Sequence, residues 1–176
     1  LTETPRAILV VSAHWETDGF TLTGAAEHGL LYDYYGFPPH TYDITYPAQG
    51  ASNIAARAAE LLGAAGLKAS IDMERGWDHG VFIPLKVAFP DADIPVVEMS
   101  LDASLDPALH IAAGEALAPL RDEGVLIIGS GMSFHNMRAY GDPRATEPSR
   151  AFDVALTNAV SATPEERARQ LDGWQS

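Results

Sequence analysis

The sequence predicts a single α/β domain built on a mostly parallel central sheet with helices on its flanks. Four short runs, Ala7–Ser12, Leu67–Ile71, Pro95–Met99 and Val125–Gly129, are nearly continuous in apolar character, as strands covered on both faces are. Helix-start and helix-stop signatures lie between several of them. Strands that alternate with helices in this way imply parallel pairing.

In chain order, the first run ends abruptly at Ala13-His14-Trp15, which delivers an imidazole to the tip of a core strand. The segment Glu16–Gly50, rich in Gly, Pro and Tyr, predicts a long irregular excursion, and loops of that length in compact domains tend to be functional. Ser52 or Asn53 is the expected cap of a helix running through Leu62, with Gly63 or Gly66 ending it. After the second run, Asp78 reads in two ways: as the cap of a helix over "HGVFIPLK", or as a carboxylate orienting the ring of His79. Asp106 followed by Pro107 is a cap-plus-first-turn signature for a helix over Ala108–Arg121 that closes at Gly124. Beyond the fourth run, Gly129, Gly131 and Ser133 fit a tight turn that lets a ligand approach the backbone. Thr163-Pro164-Glu165-Glu166 reads as a capping box opening a last helix.

Composition narrows the functional classes. The 176 residues, 47% of them hydrophobic, suffice for one domain with a real core. No apolar run approaches the roughly 20 residues of a membrane-spanning helix. No basic segment with a cleavage site opens the chain, so the expected location is cytoplasmic. Cysteine is absent, which excludes disulfides, thiolate nucleophiles and sulfur-ligated metals. Any metal must sit on His, Asp or Glu. A formal charge of −13 argues against nucleic acid or an anionic membrane as partner. A solvated surface accounts for nearly all the acidic residues, which are spread along the chain.

In open α/β sheets, ligands bind beyond the carboxyl ends of the strands. His14 lies just past the first run, His79 in the segment after the second, and His135 after the fourth. A parallel sheet would bring these three together at one edge. His110 falls within a helix and reads as a surface or packing residue. His28 and His40 fall in the long excursion as solvated residues, with His40 of "GFPPHTY" able to line a cleft. Imidazole ligates zinc and non-haem iron and serves as acid or base near neutral pH. Spacing thus supports an α/β enzyme with a His-based site and goes no further.

Four phrases carry more than spacing: "PRAILVVSAHWET", "YDYYGFPPHTYDITYPAQG", "RGWDHGVFIPLKVAFPDADIPVVEMSL" and "LRDEGVLIIGSGMSFHNMR". In this order, from about Pro5 to Arg138, they resemble the class III extradiol ring-cleavage dioxygenases (the LigB-type superfamily) and most closely the DOPA-dioxygenase-like branch. The resemblance implies a non-haem metal enzyme that inserts both atoms of O2 into a small aromatic diol, with Fe(II) for activity and Zn(II) also able to fill the site. His14 of "SAHW" is similar to a family metal ligand. His135 of "SFHN" matches a family histidine that is metal-associated or the acid/base, and the acid/base role with contact to the metal is favoured. His79 of "DHG" matches a histidine that hydrogen-bonds substrate or bound oxygen. His40 and Ser133 are expected beside the substrate. A homo-oligomeric assembly stays open.

The sequence also departs from that pattern. The family has an upstream "HGSP"-like ligand segment and a ligand near its C-terminus in a "PEH"- or "EEH"-like stretch. This chain begins at Leu1 and ends in "LDGWQS" without either; Glu165-Glu166 is followed by Arg167. The expectation is therefore a truncated catalytic domain over residues 1–176 that by itself binds Fe(II) weakly and turns over poorly. Glu98 and Asp102 are the obvious substitute carboxylates, though ordinary exposed or capping roles suit them better. Where some relatives carry a His-Asp pair, this chain has Tyr32-Asp33, and Tyr32 is given no chemistry. Two rival readings stand: a zinc hydrolase using His14 and His135 around an activated water, and an inactive binding or structural member of the fold.

Overall fold

The structure, a computed structural model, describes residues 3–173. Leu1 and Trp174–Ser176, where the sequence reading places the chain's departures from the family ends, lie outside the described residues. The chain separates into two compact units: residues up to Leu105 with Ala112–Gly131, and Asp106–Ile111 with the residues from Met132 onward.

The first unit carries a five-stranded mixed sheet. Its strands are β1 (Ala7–Thr17), β2 (Phe20–Thr23), β3 (Ala69–Asp72), β4 (Val96–Asp102) and β5 (Val125–Ser130), in the order β3-β2-β4-β1-β5. β1 pairs in parallel with β4 and β5, and β2 in parallel with β3. The one antiparallel pairing, Leu22 opposite Met99, joins β2 to β4. The predicted α/β fold with a mostly parallel sheet is what the protein has.

Strand periodicity explains how β1 serves two purposes. Successive side chains alternate faces, so Ile8, Val10, Ser12 and His14 share one. In register, Ile8 lies beside Val96 and Leu126, and Val10 beside Glu98 and Ile128. The lower part of that face is buried with Trp77, Val81, Phe82 and Leu85, each such side chain contributing about 1.5–3 kcal/mol by burial. Val81, Phe82 and Leu85 belong to α2 (His79–Ala88). Higher up, between Val11 and Glu16, the register against β4 shifts, and such an irregularity re-aims side chains locally. The same face thus runs from hydrocarbon at Ile8 to imidazole at His14.

Helix α1 (Ser52–Ala64) packs on β2, β3 and β4. Its cap is Ala51, without a side-chain bond, rather than Ser52 or Asn53; Gly66, with φ +77°, ends the turn that follows. α2 contains Pro84, which cannot donate to the carbonyl of Gly80. Ser130 Oγ at the end of β5 donates to that carbonyl instead, at 2.5 Å. The helix predicted over Ala108–Arg121 is interrupted near Pro119, giving α3 (Pro107–Leu117) and α4 (Pro119–Asp122), because proline lacks the N–H that continuation requires. Asp106 Oδ1 accepts from the Ala108 N–H at 2.9 Å, as expected of a cap.

The second unit holds α5 (Thr146–Ser161) and α6 (Pro164–Asp172). Thr163 caps α6 by accepting from the Glu166 N–H. Phe134 packs against Phe152 within this unit, with ring centroids 5.6 Å apart. Among the described residues, no helix is long and apolar enough to cross a membrane.

Candidate metal centre

His14 and His79 meet at the top of β1, with ring centroids 4.0 Å apart and planes tilted by 39°. His14 comes from the irregular upper part of β1; His79 is the first residue of α2. The close approach depends on Gly80. A Cβ there would lie 2.7 Å from Ser12 Oγ and 2.9 Å from His14 Cδ2, inside any van der Waals contact, so only glycine leaves room for the ring.

The third group is Asp33, from the long segment before α1. Its Oδ1 accepts from the His79 backbone N–H at 2.9 Å and faces His79 Nδ1 at 2.7 Å. Nδ1 of His79 therefore faces the Asp33 carboxylate, and with an ion between them both would turn a lone pair on it. Partial burial acts to raise the Asp33 carboxyl, but the bonds from the His79 backbone and ring outweigh it and hold it below the usual carboxylate range. One ligand atom from each of His14, Asp33 and His79 lies within 4.8 Å of the others. Two imidazoles and one carboxylate are the donor set of non-haem Fe(II) sites with open positions, and also suit zinc. The residues present fit such an ion.

Beneath these donors lies a buried polar network. Asp78, fully buried, caps α2 by accepting from the Gly80 N–H at 2.9 Å. It also accepts from Ser12 Oγ at 2.8 and 2.9 Å and from Arg75 Nη2 at 3.1 Å. Its own N–H donates to Glu98 Oε2 at 3.3 Å. Arg75 in turn covers the Trp15 ring at 4.4 Å. Burial, reinforced by a hydrogen bond with Asp78 and by its charge, pushes the Glu98 carboxyl up to about 9. Arg75 lies 3.1 Å from Asp78 Oδ2 and 3.5 Å from Glu98 Oε1.

Several expectations change here. Asp78 is the helix cap, and the carboxylate that orients His79 is Asp33. Glu98 is wholly buried and Asp102 accepts from the Gly19 and Ser104 N–H groups, so neither replaces a metal ligand; the carboxylate that does reach the imidazoles is Asp33. The reason given for placing His79 also changes. β3, which precedes it, runs opposite to β1 through the antiparallel β2–β4 pairing, and the connection from Asp72 to Asp78 brings His79 to the site. His40 sits exposed in the 3-10 turn Pro39–Asp43; from its segment it is Asp33 and Tyr34 that reach His79, the Tyr34 ring standing edge-on at 5.6 Å. His135 and Ser133 belong to the second unit and are exposed. There Ser133 lines a hollow of about 370 Å³ with Phe134, Phe152 and Arg150. His28, expected to be solvated, is instead half-buried, its ring 5.1 Å from that of Trp77 and its Nδ1 2.9 Å from the Arg75 carbonyl; His110 Nδ1 lies 2.7 Å from the Asp106 carbonyl, in keeping with a surface or packing role.

Over residues 1–175 the chain matches the family described as the catalytic LigB subunit of aromatic ring-opening dioxygenase. It is 46% identical to the dioxygenase tasH of Hapsidospora irregularis, over 98% of this chain and 56% of that protein. It is also 46% identical to a 4,5-DOPA dioxygenase extradiol of Beta vulgaris, over 97% of this chain and 66% of the relative. With the 4,5-DOPA dioxygenase extradiol of Escherichia coli K12 the identity is 44%, over 87% and 59% of the two chains. A crystal structure of an uncharacterized Escherichia coli K12 protein superposes with a TM-score of 0.68 at 34% identity, covering 97% of this chain and 76% of that one. The chain spans between about half and two thirds of the length of these curated relatives.

Proposed function

The chain belongs to the LigB family of aromatic ring-opening dioxygenases, and from that premise we propose that the protein cleaves a catechol-type ring beside its hydroxyls, using O2 and a divalent metal held by His14, His79 and Asp33. The observation that carries this reading is the convergence of two imidazoles and one carboxylate within 4.8 Å at the end of a core strand. Fe(II) is the metal proposed for activity, with Zn(II) able to occupy the same donors. The relatives named for DOPA make L-DOPA the first substrate to test. Over residues 1–176 the chain is read as part of one catalytic domain, and because Asp33 adds a third donor that the sequence reading did not count, Fe(II) binding and turnover by this chain are proposed in place of the weak binding expected from the sequence.

When bound, the metal supplies Lewis acidity that eases deprotonation of a catechol hydroxyl and an electron path between ring and O2. The chain's residues do the rest. Asp33 holds His79 in place by accepting from its backbone N–H at 2.9 Å. Tyr34, edge-on to His79 and packed with Tyr32, Tyr42 and Phe37, offers an aromatic wall for a planar substrate. His135, through the resemblance of "SFHN", is assigned proton transfer to and from the ring oxygens, help typically worth about 10²–10⁴-fold. His40 and Ser133 are assigned contact with the substrate.

The test is to mix the protein anaerobically with Fe(II) and L-DOPA and then admit O2. Oxygen uptake with a coloured ring-opened product, abolished in His14→Ala, is the expected result. Zinc-dependent ester or amide hydrolysis without oxygen uptake would instead establish the hydrolase reading.

A further inference from the structure

The two histidines of the centre are linked by a chain of hydrogen bonds through buried side chains. His14 donates its backbone N–H to Ser12 Oγ at 3.2 Å. Ser12 donates its hydroxyl to the Asp78 carboxylate, 2.8 and 2.9 Å from its two oxygens. Asp78 is covalently next to His79 and accepts from the Gly80 N–H in the first turn of α2. Ser12 and Asp78 are both fully buried. A strand and a helix are thereby joined by one hydroxyl bridging to one carboxylate, and the bridge lies directly below both rings.

Resting on the metal-centre reading above, we propose that Ser12 and Asp78 are positioning residues that set the His14–His79 spacing. Helix capping alone would be satisfied by the Gly80 bond, and the charge of Asp78 is already met by Arg75 at 3.1 Å. The Ser12 hydroxyl adds nothing to either role; what it adds is the tie to the His14 backbone. Buried, doubly bonded groups of this kind rigidify what they connect.

The experiment uses the 176-residue chain with two readouts. One needs no metal: the nuclear Overhauser contact between the ring protons of His14 and His79. The other is Co(II) titration followed by its visible d–d bands, which report coordination geometry. Ser12→Ala and Asp78→Ser should both weaken or abolish the ring contact, lower Co(II) affinity about 10–100-fold and shift the bands. Asp78→Asn retains an oxygen acceptor for both Gly80 and Ser12 and should keep the ring contact. Tyr46→Phe, which removes a hydroxyl bond to Phe89 at the far end of α2 (3.1 Å), measures the effect of lost stability alone and should leave both readouts unchanged. Ring contact and Co(II) bands that survive Ser12→Ala and Asp78→Ser overturn the proposal. Failure of the wild-type chain to bind Co(II) would count against the metal reading, while the ring contact still decides the positioning role.

Discussion

The His14 and His79 rings approach to 4.0 Å between centroids, although one ends a strand and the other begins a helix. Asp33 lies against His79 and completes with the two imidazoles a donor set for a divalent ion.

Replacing a donor should therefore remove the ion. His14→Ala is expected to abolish stoichiometric Co(II) or Zn(II) binding, since loss of a ligand opens the coordination sphere. Metal analysis after gel filtration reads this directly, and undiminished binding would move His14 out of the centre.

Asp33→Asn keeps the shape of the side chain and removes its charge. Metal affinity should fall at least about 10-fold, because a neutral amide oxygen is a weaker ligand for a hard divalent cation than a carboxylate. A titration monitored by a competing chromophoric chelator gives the number; no change would leave Asp33 with a purely structural role.

Gly80→Ala tests the packing that allows the two rings to meet. The added Cβ collides with Ser12 Oγ and His14 Cδ2, and overpacking of this kind costs about 1–3 kcal/mol. Thermal unfolding should show that loss together with weakened metal binding and unchanged helical content.

The burial of Glu98 predicts a pH dependence. Its carboxyl is raised from 4.5 to about 9 in the folded chain, so between those values the folded state holds a proton that the unfolded state releases. The contribution of Glu98 to stability is full below about pH 4.5 and declines as pH rises toward 9. Glu98→Gln, which cannot ionise and keeps an oxygen for the Asp78 N–H, should flatten denaturant midpoints across that window and raise them at its upper end. An identical pH profile in wild type and variant would mean that Glu98 is ionised at neutral pH.

Much of this centre is legible in the sequence, and the limits have local causes. The apolar run from Ala7 and its abrupt end at His14 mark a core strand carrying an imidazole. The Asp-His-Gly triplet marks His79, but it cannot separate a cap from a ring-orienting carboxylate, because both roles call for Asp at that position. Geometry separates them. Asp33 was hidden because its link to His79 spans an irregular segment with no periodicity, where contacts are set by the loop's path. β2 was hidden for a related reason: four residues with only two large apolar side chains leave no run to see. Its antiparallel seat beside β4 then reverses β3, which a count of alternating strands and helices does not reveal.

His135→Ala separates proton transfer from metal binding. Turnover of a catechol should fall about 10²–10⁴-fold while bound metal stays at the wild-type level. Parallel loss of metal would make His135 a ligand.

The account stands most directly on a single titration: Fe(II) added anaerobically to the chain, to His14→Ala, His79→Ala and Asp33→Asn, with bound metal quantified in each. One equivalent in the wild-type chain, and substoichiometric or weakened binding in all three variants, is the predicted result. No binding by the wild-type chain, or binding that all three substitutions leave intact, would contradict it.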